Sequence, residues 1–120
     1  MPDPIRFAAH VDDRGSLLPI ELAAIPFDVQ RVFVVHGTTP ATERGGHFAD
    51  CEQVLVLLAG TASVRYGPDR HAPSTTELLT PGDAVVLAED DHIVYHLRDE
   101  QSSILVLASL PFSGHPERSS

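Results

Sequence analysis

Short runs rich in Val, Leu, Ile and Phe recur along the chain, and clusters of Gly, Pro, Asp and Thr separate them. The clearest runs are 30–36, 53–58, 62–66, 84–87, 93–97 and 103–108, each of ordinary strand length. None keeps a helical repeat over three turns. The clusters between them, such as Asp12-Asp13-Arg14-Gly15, Gly45-Gly46, Gly67-Pro68-Asp69 and Glu89-Asp90-Asp91, carry the residues of tight turns. Many short strands with regular turns and no intervening helices predict an all-β sandwich, jelly roll or barrel.

Two turns and one strand give finer detail. Leu58-Ala59-Gly60-Thr61 joins two strong strands and predicts a tight hairpin with Gly60 at positive φ. Pro81-Gly82-Asp83 predicts a type II turn leading into another strand. Val54-Leu55-Val56-Leu57-Leu58 is apolar at every position, so both faces of that strand are expected to be covered. One face would look into a barrel, and the other would meet a second layer or a partner subunit. Residues 1–120 read as one domain, with 113–120 as a flexible tail.

Composition then removes whole classes of function. A chain of 120 residues with 42% hydrophobic content can build one core without staples. Its formal net charge is -9, which suits neither nucleic acid nor an anionic membrane surface. All eight basic residues are Arg, so Schiff-base chemistry on a lysine amine is absent. A few Arg in one pocket can still hold a small anion against the overall sign. Cys51 is the one cysteine, which rules out a disulfide within the chain and reads as a small buried apolar residue. No charged-then-apolar leader opens the sequence and no apolar run is long enough to span a bilayer, so the expected location is cytoplasmic.

Two ordered blocks carry a resemblance. The first is Arg44-Gly45-Gly46-His47-Phe48-Ala49-Asp50-Cys51-Glu52-Gln53, followed by an apolar strand to Gly60; the second is Leu79-Thr80-Pro81-Gly82-Asp83, followed by His92. Their order and separation resemble the cupins, which implies a small jelly-roll barrel of the RmlC-like type. A closer resemblance is to the nucleotide-sugar 3,4-ketoisomerases, the WxcM-like cupins that move a ketone from C4 to C3 of dTDP-4-keto-6-deoxyglucose. It rests on Asp13-Arg14-Gly15-Ser16-Leu17 with Glu21, Ile25-Pro26-Phe27, Arg31-Val32-Phe33, Arg44-Gly45-Gly46-His47, Gln53-Val54-Leu55-Val56 and Leu105-Val106-Leu107-Ala108-Ser109. That family's motif carries two His separated by one position; His47 matches the first, and Ala49 stands at the second. The resemblance implies a dTDP-sugar as ligand and a homodimer; the isomerisation itself needs no metal or redox cofactor in principle.

Moving a ketone to the next carbon needs a base, a group that stabilises the enediol oxygen, and an acid. Imidazole suits the proton work, and Arg or a hydroxyl suits the oxyanion. His47 is therefore the candidate acid/base, against the alternative of a structural His. Arg44 could hold a phosphate or an enediolate through its planar fork, or be a solvated turn residue. Arg31 lies in an otherwise apolar strand, where it binds the nucleotide diphosphate or pairs with a residue such as Glu21. Gln53, His36, His92 and Tyr95 complete the candidate ligand-binding set. On an ideal strand His92, Val94 and His96 share one face, with Tyr95 on the other. Two rivals stay open: a non-catalytic small-molecule-binding cupin, and a metal enzyme using His47, Glu52 and His92, with Asp50 as a substitute ligand.

Overall fold

The computed structural model describes residues 5–37 and 43–111. The expected tail at 113–120 lies outside the described residues. The elements are β1 Ile5–Arg6, β2 His10–Asp12, β3 Gly15–Leu17, a 3-10 turn Leu22–Ala24, β4 Arg31–His36, β5 Glu43–Phe48, β6 Gln53–Ala59, β7 Ala62–Gly67, β8 Ser74–Leu78, β9 Asp83–Leu87, β10 His92–Leu97 and β11 Ser103–Ala108. Five strands pair in the order β1-β9-β6-β11-β4, four in the order β5-β10-β7-β8, and β2 pairs with β3 as a separate hairpin. Every pairing among the described residues is antiparallel. The expected all-β jelly roll is what the chain forms. No helix among the described residues is long and apolar enough to cross a membrane.

Alternation along each strand assigns the two faces. Val35, Leu55, Leu57, Val64, Tyr66, Val85, Leu87, Ile93, Tyr95, Leu97, Ile104 and Val106 meet in one buried cluster between the two larger sheets. Removing each such side chain from water contributes about 1.5–3 kcal/mol, and it is this cluster that holds the sheets face to face. The hydrophobic pattern alone does not reveal β5 and β8. Both are edge strands: β8 reads Ser-Thr-Thr-Glu-Leu and β5 carries two glycines, so neither shows an apolar run.

The outer face of the five-stranded sheet decides between the two covers expected for β6, a second layer or a partner subunit. Val54, Val56, Ala84 and Leu107 are buried there, but the cover comes from this chain's own N-terminal segment. Phe7 and Ile25 pack onto them, with Ile5, Leu18, Ile20, Phe27 and Val29 around the edge. The fully apolar β6 therefore needs no partner subunit to hide its second face. The turn at Pro81-Gly82 forms as expected, but the expected hairpin at Gly60 does not: β6 belongs to the five-stranded sheet and β7 to the four-stranded one, so this tight turn carries the chain from one sheet to the other. Gly60 has φ +71, and a Cβ there would lie 2.2 Å from Ser102 Oγ. Gly82 has φ +99, and a Cβ there would lie 1.9 Å from the Phe7 carbonyl oxygen, so the strap and the turn fit only without a side chain.

Candidate active site

The candidate site is set by a break in the register of β5. Along β10, Ile93 pairs with His47, Val94 with Gly45 and Tyr95 with Arg44, with a bulge between Ile93 and Val94. Residues 44 and 47 are three apart, so on a regular strand they would point to opposite faces. The extra residue, Gly46, restores them to one face. Its neighbour Gly45 has φ +95 and Gly46 has φ +79, a region that L side chains avoid. A Cβ on Gly45 would also lie 2.5 Å from the Ile93 carbonyl oxygen. The glycine pair thus turns both Arg44 and His47 toward the interior, on the same side as the buried Ile93 and Tyr95.

Four further inward positions surround this pair. Tyr95 is buried, and its hydroxyl accepts a hydrogen bond from Arg44. Burial pushes the phenol above its ordinary pKa of 10.0, and the Arg44 guanidinium pulls partly back. Gln53 opens β6, is buried, and pairs with Leu87 on one side and Ala108 on the other. Arg31, on the inward face of β4, is half-buried, with its guanidinium carbon 5.3 Å from the centre of the Phe33 ring. Phe33 is the wall that residue chemistry alone overlooked, although its two-residue spacing from Arg31 places it on the same face. Two guanidinium groups thus share the inward faces with one imidazole, in a chain that is acidic overall.

Other expected site residues lie elsewhere. His36 is exposed on the outer face of β4, beside Val32 and Val34. His92 is on the outer face of β10, where its ring meets Phe48 edge-on at 4.9 Å and 71°. Both follow from alternation: the residues that share their parity with Tyr95 and Val35 point inward, and these two do not. The proposed metal set His47, Glu52 and His92 is not assembled. His47 and His92 occupy opposite faces, Glu52 is exposed with its backbone bonded to Ser109, and Asp50 is exposed in the turn. Among the described residues, no three His, Cys, Asp or Glu side chains are grouped to hold a metal ion. Ala49, at the second motif position, is buried and bonded through its backbone to Asp90 and Asp91.

A sequence model described as FdtA: WxcM-like, C-terminal, matches residues 3–116. The chain belongs to this family. A curated relative, the TDP-4-oxo-6-deoxy-alpha-D-glucose-3,4-oxoisomerase of Aneurinibacillus thermoaerophilus, is 42% identical over 62 residues. That alignment takes in 50% of this chain and 45% of the relative, so it spans less than half of that protein. A 3,4-ketoisomerase from Helicobacter canadensis superposes with a TM-score of 0.80 at 27% identity, covering 93% of this chain and 85% of the other. A histidine-to-asparagine mutant of the 3,4-ketoisomerase QdtA from Thermoanaerobacterium thermosaccharolyticum, in complex with TDP-4-keto-6-deoxyglucose, superposes at 0.79 with 27% identity, covering 93% and 82%.

Proposed function

We propose that this chain is a sugar 3,4-ketoisomerase that needs no cofactor and acts on a dTDP-linked 4-keto-6-deoxyhexose. The observation that carries the reading is the glycine bulge, which turns Arg44 and His47 onto one inward face. The named activities of the relatives and the ligand in the solved complex support the substrate class. His47 takes the proton from C3 and returns one to C4. The guanidinium forks of Arg44 and Arg31 suit the anionic parts of the ligand, the diphosphate and the enediolate oxygen. Gln53, buried at the start of β6, supplies a neutral amide to orient the sugar. A cytoplasmic setting fits a chain whose one cysteine, Cys51, is a free thiol.

Incubating the protein with TDP-4-keto-6-deoxyglucose and following the sugar by NMR tests this reading. The expected result is the appearance of a ketone at C3. A folded protein that leaves the ketone at C4 overturns it. Ala49 in place of the second motif His favours one rival, a binding module without turnover, and tight TDP binding with no conversion is the result that rival predicts.

We also propose a homodimer. The support is the open edge of the larger sheet: β4 is an edge strand whose Val32 and Val34 are 53% and 45% exposed. The β2–β3 hairpin is exposed at every residue, and a lone two-stranded hairpin is marginal in water.

A further inference from the structure

We propose that Tyr95 is the second proton-transfer group of the site, moving a proton between the sugar's two oxygens while His47 moves one between its two carbons. The inference rests on the ketoisomerase reading above and assigns it a residue that the motif does not contain.

Isomerisation relocates two protons. The hydrogen on C3 must end as one on C4, and the hydroxyl proton on O3 must end on O4. Among the described residues His47 is the one imidazole on an inward face. His36, His92 and His96 lie on outer faces, and His10 and His71 are exposed on the hairpin and a loop. Guanidinium groups keep their protons, and Gln53 does not titrate. That leaves the phenols of Tyr66 and Tyr95. The Tyr66 hydroxyl lies 3.2 Å from Thr76 Oγ1 on β8, on the side of β7 away from β5. Tyr95 instead sits directly across from Arg44 on β5 and is bonded to it.

The phenol and the imidazole are neighbours by register. His47 faces Ile93, and Tyr95 is the next inward residue along β10, about 7 Å further at the usual strand rise. Both groups can therefore address one carbon–carbon unit and its oxygens. The Tyr95 oxygen takes part in the Arg44 bond as the acceptor, so that bond does not use the phenol's proton. Burial keeps the phenol protonated at the start, and the guanidinium stabilises the phenolate that donation leaves. The charged and titratable groups on the inward faces around it are Arg44 and His47 from β5, Tyr66 from β7 and Arg31 from β4; the inward residues of β6 and β11 are neutral.

The chemistry balances. His47 removes the C3 proton, the C–H pair becomes the C3=C4 bond, and the carbonyl pair moves to O4, which takes the Tyr95 proton. The phenolate then removes the O3 proton. The O–H pair forms the C3 carbonyl, and C4 takes a proton from the imidazolium. Both side chains return to their starting states, and no oxidant or reductant is consumed. One imidazole is then sufficient for the carbon protons, which fits Ala49 at the second motif position.

The test is Tyr95→Phe, which keeps the ring and removes only the hydroxyl, assayed with TDP-4-keto-6-deoxyglucose beside the wild type. The expected result is a kcat lower by about 100- to 10,000-fold, KM close to wild type, and loss of the alkaline limb of the pH–rate profile. Wild-type turnover with Tyr95→Phe within about threefold overturns the Tyr95 assignment and leaves the ketoisomerase reading standing. No turnover by the wild type overturns both. If Tyr95→Phe does not fold, fluorotyrosine incorporation replaces it. The chain has only two tyrosines, so in a Tyr66→Phe background the label reports Tyr95 alone. An alkaline limb moved to lower pH supports the proposal, and an unmoved limb overturns it.

Discussion

At the scale of single residues, the candidate site depends on which face each side chain takes. Replacing Arg31 with Lys keeps the charge and loses the planar fork stacked on Phe33. The account predicts weaker TDP binding by about 1–2 kcal/mol with little change in melting temperature, read by titration calorimetry. Tyr95 also makes a prediction about stability. Its folded pKa lies above the ordinary 10.0, so the folded state holds that proton more tightly than the unfolded chain. This contribution is whole below about pH 10 and is lost as the pH climbs through the raised value. Tyr95→Phe should remove that part of the alkaline decline, measured by denaturant unfolding at about pH 9 and about pH 11. Arg44 and His47 were legible as candidates from the Arg-Gly-Gly-His resemblance and from their chemistry, but the glycine pair read as a turn, whereas it is a bulge inside β5. The parity of His92, Val94 and His96 against Tyr95 was also legible. Which of the two faces pointed inward was not, because parity says what shares a face and only packing says which face is buried. His36 and His92 fell on the wrong side for that reason.

At the scale of elements, the bulge in β5 and the strap over β6 are the devices that position the site. Gly45→Ala forces a side chain into φ +95 and against the Ile93 carbonyl, and should cost about 2–3 kcal/mol of stability as well as most of the activity. Gly46→Ala meets open space, so only the backbone term of about 1–2 kcal/mol applies. A melting series on the two variants checks the order, and equal losses would contradict it. On the other side of the barrel, Phe7 packs against the outer face of the five-stranded sheet and is 7% exposed. Phe7→Ala should destabilise by about 3–5 kcal/mol although it lies far from the inward face. The strands β4, β6, β7, β9, β10 and β11 could be read from apolar runs with ends right to a residue or so. The strap could not, because residues 5–30 show no strong period: they form short strands, a single turn of 3-10 helix and extended chain laid across a sheet.

At the scale of the whole molecule, the jelly roll was readable from its turns, and so was the need for cover over β6, but not which segment supplies it. The chain supplies its own second layer over β6, so the dimer proposed above uses other surfaces, with the open β4 edge and the exposed hairpin as its candidates. Sedimentation should show a dimer at micromolar concentration, and Val34→Glu on that edge should shift it toward monomer without unfolding it. A monomeric wild type would remove this part of the proposal. Surface ion pairs such as Arg65–Glu43 at 2.9 Å join exposed side chains and add little to stability. All the functional claims depend on one imidazole turned inward by a glycine bulge and acting on the carbon beside a ketone. The most direct measurement is the rate at which the ketone of TDP-4-keto-6-deoxyglucose moves to C3 with wild type and with His47→Asn, followed by proton NMR. The account predicts conversion by the wild type and a loss of at least about 100-fold in a folded His47→Asn. Conversion by His47→Asn at the wild-type rate would contradict it.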